Sequence, residues 1–242
     1  MGIHGLIEFG NRTLTFVLTI VAVAMLLAVW RMRKTEPTVF GLAIALLSVI
    51  PTQALIGGIT VWTDLNPWVV SLHFLVSAAL VAAAMLLVNR TGRILRGEAT
   101  VADPTASSAL RSTGWVIALS AAAAVVLGTI VTGTGPHAGD ALAPRHAFSP
   151  ELVTRIHVVP VYVLVASVLL AAWLVRKEKA DSRLSRAVVW LIAVVLLQAV
   201  IGYVQHFTGL PIGLVLLHML GSALLVAAAA NVWDRSTGRF PL

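Results

Sequence analysis

Seven histidines are spread along the 242 residues, and four of them, His4, His73, His157 and His218, fall in or at the mouths of long apolar runs. Ionisable side chains are rare and costly inside a bilayer, so their presence there points to function. A pair of neutral imidazoles facing each other across a helical bundle is the arrangement that holds a haem iron by two axial ligands. Such ligands must come from different helices, and His157 and His218 meet that requirement. The competing reading makes each histidine a hydrogen-bonding strut between helices. Four at one depth, two of them related by a repeat, favour ligands.

A second constellation lies at the start of the chain. His4, Glu8, Asn11 and Arg12 are spaced i, i+4, i+7 and i+8, so they share one helical face. That face gathers an imidazole, a carboxylate, an amide and a guanidinium. The plainer alternative is an i,i+4 ion pair between Glu8 and Arg12 at a helix start. Arg12 and Arg155, basic where most of the other loops at that level are not, suit anionic propionates through bidentate contacts. Gln53 and Gln198 stand mid-span and read as interhelical hydrogen-bonding groups, with contact to a cofactor edge as the second reading. His137, His146 and His206 are read as outer-loop residues and are expected in solvent. The tract over 132–135 reads as a turn, and the sequon patterns at Asn11 and Asn89 are discounted.

The elements that must position these residues follow from composition. The chain is 59% hydrophobic and only 11% charged, where a soluble domain carries roughly a quarter charged residues. That excludes an ordinary water-soluble fold, a disordered chain and a collagenous one. Apolar spans run over roughly 13–30, 39–59, 68–88, 113–131, 152–175, 187–206 and 211–233. They must be helical, because backbone amides in lipid have to be satisfied within the segment. The sequence therefore predicts an all-α integral membrane protein of seven transmembrane helices. A net charge of +7 would suggest nucleic acid in a soluble protein. Here fourteen of the 17 basic residues follow the first, third, fifth and seventh spans. The positive-inside rule places those loops and the C-terminus in the cytoplasm and the N-terminus outside, so the partner is the lipid bilayer and no nucleic acid is expected. The absence of cysteine excludes disulfides, thiolate metal sites and a cysteine nucleophile. No cleavable signal is visible.

The chain repeats itself. QALIGGITVWTDLNPWVVSLHFLVSAALVAAA from Gln53 recurs as QAVIGYVQHFTGLPIGLVLLHMLGSALLVAAA from Gln198, with His73 meeting His218 at the same offset and no gap. Glu8 with Arg12 and Glu151 with Arg155 precede the two copies. The expected organisation is a first half-bundle over 1–90, a cytoplasmic linker over 91–112, a four-helix bundle over 113–235 and a cytoplasmic tail over 236–242. The first span of the second half has no partner in the first half, so a complete duplication calls for one further helix before residue 1. The expectation is a chain lacking that helix.

These residues resemble a known family. IEFGNR in the first span, QALIGGITVWTDLNPW followed by LHFLVSAAL, then VTGTGPHAGD, TRIHVVPVY and QAVIGY…LLHMLGSALL are similar to haem A synthase of the actinobacterial type, over essentially the whole chain. The resemblance implies eight helices in two pseudo-symmetric four-helix bundles. It implies haem b held in the second half by His157 and His218, with Arg155 beside it. Haem O is the implied substrate of the first half, with His73 as an iron ligand and His4, Asn11 and Arg12 around it. Glu8 matches the family's essential glutamate near the reacting methyl group. The implied reaction oxidises that ring methyl to a formyl group, giving haem A for terminal oxidases of the plasma membrane. Electrons are expected from an external, ferredoxin-like or other donor, and haem O synthase and oxidase assembly proteins are the expected partners. Two features depart from the family pattern: Asn11 stands where many members have histidine, and the outer loop with a cysteine pair is lacking. A bis-histidine cytochrome b-like electron carrier without methyl oxidation is the alternative function.

Overall fold

The computed structural model describes the backbone of residues 3–98, 101–136 and 142–238, with side chains from residue 9 onward except 11 and 12. It contains seven long helices, α1 (Ile3–Val29), α2 (Pro37–Trp62), α3 (Pro67–Leu95), α4 (Ser108–Thr134), α5 (Pro150–Lys177), α6 (Ser182–Phe207) and α7 (Ile212–Thr237). Each contains a stretch long and apolar enough to cross a membrane. The chain is an all-helical, multi-pass membrane protein. Proline opens α2, α3 and α5, where its missing N–H would have been unpaired in any case. Side-chain oxygens of Asn66, Ser107, Ser149 and Asp181 cap α3, α4, α5 and α6, satisfying backbone donors that a helix leaves free at its start.

Helices α4 to α7 close into a ring. α4 packs on α5 and α7, and α6 packs on α5 and α7, so α5 and α7 are diagonal partners. Leu110, Ile117, Leu164, Leu184, Leu191 and Val232 fill the ring and are all but inaccessible. In the first half α1 packs on α2 and α2 on α3, around the smaller core of Val29, Val39, Ala43 and Leu87. α3 joins the halves through α7 and α4. The outward faces carry exposed apolar residues such as Phe16, Ile20, Leu169, Leu196 and Val200, which lipid solvates.

The repeat extends to the backbone. The α2–α3 turn puts Asp64 at φ +51° and Leu65 at +59°, and the α6–α7 turn puts Gly209 at +76° and Leu210 at +59°. Leu65 N–H donates to the Thr60 carbonyl at 2.9 Å, and Leu210 N–H to the Gln205 carbonyl at 2.8 Å. These are the same helix-ending turns at equivalent positions. Gly209 adopts the left-handed conformation without a Cβ penalty.

At the opposite ends of α3 and α7, repeat-related side chains cross-pair. Asn89 Nδ2 donates to Asp234 at 3.0 Å and Arg90 donates to Asp234 at 2.7 Å, while Arg235 returns a bond to Asn89 Oδ1 at 2.9 Å. Asn89 corresponds to Asp234 in the repeat, and Arg90 to Arg235. The clasp is therefore isologous: each half gives to the other what it receives. Arg90 and Asp234 are buried. Arg93, also within α3, pairs with Glu36 ahead of α2. This corrects the reading of Arg90 and Arg93 as loop charges; they are helical, and carboxylates from neighbouring elements offset their burial. A second correction concerns residues 132–134, which continue α4 instead of turning. The Thr132 and Thr134 hydroxyls bond back to the carbonyls of Gly128 and Ile130, so these threonines are accommodated within the last helical turn.

Candidate functional site

Successive helices alternate in direction, so α3, α5 and α7 all start at one end of the bundle. His73 lies six residues after Pro67, His157 seven after Pro150 and His218 six after Ile212. At 1.5 Å per residue each imidazole is rooted roughly 9–10 Å from its helix start. The three share one level.

Each ring is seated on a glycine of the preceding helix. A Cβ at Gly57 of α2 would stand 3.5 Å from His73 Cε1, one at Gly128 of α4 3.3 Å from His157 Cε1, and one at Gly202 of α6 3.4 Å from His218 Cε1. Gly57 and Gly202 are repeat-related. Any side chain longer than a methyl would push the ring aside. The Nδ1 atoms of the three rings are buried, and only the His157 ring has a backbone carbonyl, that of Ala124 in α4, near enough to pair with. Buried polar atoms are nearly always paired, so the unpaired Nδ1 atoms of His73 and His218 call for an explanation. A neutral imidazole that is not committed to a protein partner can offer one nitrogen to a metal.

The donor set fits haem better than a bare ion. Among the described residues no group of three or more His, Cys, Asp or Glu could hold a metal ion by itself. A porphyrin supplies four equatorial nitrogens and needs only two axial ligands. His157 and His218 come from α5 and α7, which sit diagonally across the ring. In the first half His73 has the same glycine seat. The proposed companions His4, Glu8, Asn11 and Arg12 lie outside the described side chains. Arg155 is exposed two residues before His157, which places it some 200° around the helix from the ring.

Gln53 and Gln198 bridge helices, the first of the two readings given above. Gln53 Nε2 donates to the His73 carbonyl at 3.1 Å and to Ser77 Oγ, and Gln198 Nε2 donates to the His218 carbonyl at 3.3 Å.

His206 is exposed but sits on the last turn of α6, not in a loop; His137 lies outside the described residues, and His146 is not in solvent. It is 7% exposed, with its ring 4.3 Å from that of Trp68 and 5.6 Å from that of Phe148. Its backbone N–H donates to the Gly133 carbonyl at 3.0 Å. Between spans, a histidine can serve as an apolar wedge when aromatics surround it, and here it pins the α4–α5 loop to the start of α3. Burial holds its imidazole below the ordinary value of 6.5. The folded loop thus favours the neutral ring. Its anchoring is complete above pH 6.5 and weakens as the pH falls below that value. Hydrogen exchange of residues 142–149, corrected for intrinsic rates, is expected to rise between about pH 7.5 and about pH 5.5, and His146→Phe to flatten that rise.

The glycine seats escaped the sequence reading. Their signal was present in the paired IG at Gly57 and Gly202, which marked the repeat without revealing what the glycine faces.

A ring of four helices with diagonal imidazoles, joined through a pseudo-two-fold clasp to a second histidine site, defines a duplicated, polytopic membrane protein. The chain belongs to the COX15-CtaA family, described as cytochrome oxidase assembly protein, whose family model matches residues 3–230. It is similar to proteins named heme A synthase. That of Listeria monocytogenes serotype 4a is 25% identical over 230 residues, covering 92% of this chain and 75% of the relative. The Listeria welshimeri protein is 26% identical over 234 residues, with the same coverage. The Rhizobium etli protein is 24% identical over 260 residues, covering 97% of this chain and 69% of the relative. No solved structure matches the chain.

Proposed function

We propose that this protein is a haem A synthase, oxidising the ring methyl of haem O to a formyl group by two successive hydroxylations and loss of water. Each hydroxylation consumes one dioxygen, two protons and two electrons from an external donor and releases one water; the resulting gem-diol then loses water. The observation that carries the reading is the pair of repeat-related seats, His73 on Gly57 and His218 on Gly202, with His157 added from the diagonal helix. In the second half His157 and His218 would hold haem b. When bound, that group supplies one-electron transfer at the level of the imidazoles. His73 would bind the iron of haem O, the substrate, and Glu8 on α1 would stand at the reacting methyl as an acid–base group. Arg12 would meet propionates at the membrane surface, whereas Arg155, turned away from the His157 ring, would face the lipid headgroups. Family membership and the names of the relatives support the same assignment. We place the protein in a bacterial plasma membrane, with the histidine level toward the outer face and the C-terminus in the cytoplasm, because the basic residues collect at the other ends of the helices. The electron donor is external.

Cells supplied with haem O and making the protein are expected to yield haem A among their extracted pigments. Glu8→Ala is expected to lower that yield by at least about a hundredfold, the lower range for losing a positioned acid–base group, while the haem b bands persist. If haem A is absent and wild type and Glu8→Ala give identical pigments, the electron-carrier reading takes over.

A further inference from the structure

The two mid-span glutamines act on the main chain of the very residues whose side chains face the candidate haems. Gln53 and Gln198 lie one helical turn before Gly57 and Gly202, on the same faces of α2 and α6. Each pair therefore touches one histidine at two points. The glycine meets the ring edge, at Cβ-to-Cε1 separations of 3.5 and 3.4 Å, and the glutamine amide meets the backbone carbonyl, at 3.1 and 3.3 Å. A helical carbonyl already accepts from the N–H four residues on, and that of His73 accepts from the Ser77 hydroxyl as well at 3.1 Å, so a side-chain amide here is an additional, optional donor. It fixes how far α3 or α7 is turned and shifted against its neighbour, and hence the direction of the imidazole. In an environment without water such bonds are sustained by the lack of competing partners.

The second half shows how close this contact is. Gln198 is 9% exposed. A Cβ on Gly221 would fall 1.6 Å from its Nε2, so the amide occupies the space that a side chain at 221 would fill. The repeat-related position in the first half is Val76, and there Gln53 is held by Ser77 instead. The same device has two local supports.

We infer that Gln53 and Gln198 are positioning residues, each setting the orientation of one iron-ligating histidine, His73 and His218 respectively, independently of the other half. This rests on the haem reading above. The test uses the full-length protein, purified in detergent with its haem b, reduced, and mixed with carbon monoxide. A bis-histidine haem admits carbon monoxide only when one imidazole lets go. Gln198→Met keeps the volume and removes the donor; Gly221→Ala leaves the glutamine in the chain but displaces its amide. Both are expected to retain the haem and to speed carbon monoxide binding about five- to tenfold, the factor one modest hydrogen bond supplies. Gln53→Met is expected to leave that rate unchanged. Should Gln198→Met fail to assemble, Gly221→Ala decides alone, since its displaced neighbour is the end of a flexible side chain. Wild-type rates in Gly221→Ala, or an equal acceleration in Gln53→Met, overturn the inference. A wild-type protein that carries no haem overturns the haem reading itself, which is a distinct result.

Discussion

His218→Ala is expected to abolish the Soret band of the purified protein, and His157→Ala to do the same. Each ligand comes from its own helix, α5 or α7, so the loss of one is not made good by the other. Altering merely the groups that orient a metal ligand costs roughly 10–100-fold in affinity, and removing the ligand costs more. Occupancy at micromolar protein is then expected to fall below about a tenth of wild type. Added imidazole is expected to restore part of the band in His218→Ala, because the truncated side chain leaves its seat against Gly202 open. His73→Ala serves as the control, since it lies in the other half and should spare haem b. An undiminished band in either second-half variant removes His157 and His218 as the ligand pair.

Asp234→Ala is expected to be the most destabilising substitution outside the histidine level. Its carboxylate accepts from both Asn89 and Arg90, and its side chain is 1% exposed. Removal leaves the Arg90 guanidinium, itself 7% exposed, as a buried cation without its partner. Breaking a buried ion pair from one side costs about 3–5 kcal/mol. Thermal unfolding in detergent should show that loss, with proteolysis appearing first between α3 and α4. Replacing both members, Asp234→Leu with Arg90→Met, should recover most of the stability, because two apolar groups of similar size leave no charge stranded. If the single and double variants unfold alike, the clasp does not join the halves.

How much of this was legible in the sequence depended on what kind of contact was asked about. Hydropathy marked all seven helices because lipid leaves the backbone no alternative to helix. It underestimated their ends. The caps at Asn66, Ser107, Ser149 and Asp181 and the basic last turn of α5 are polar, so an apolar window stops short of them. The histidine level could be read from spacing to the helix starts. The seats at Gly57, Gly128 and Gly202 could not, because a glycine declares only that something comes close and not what it is. His146 was misread for a related reason. Its position between spans said loop, and only the fold brings Trp68 and Phe148 around it. Asn89 and Asp234, 145 residues apart, meet because the halves do. The repeat aligned them as equivalents without showing that they are each other's partners.

That clasp also decides which halves can recognise each other. Position 89 is an amide and position 234 a carboxylate, though the repeat makes them the same site. Two first halves brought together would leave two arginines with no anion between them, whereas the unlike pair gives Arg90 a carboxylate and Arg235 an amide oxygen. The face between α3 and α7 thus disfavours pairing of two first halves by charge. A duplicated protein whose halves still resemble each other is exposed to mispairing between neighbouring copies in a crowded membrane. A single amide–carboxylate difference, buried where water cannot screen it, biases the first half toward a second half.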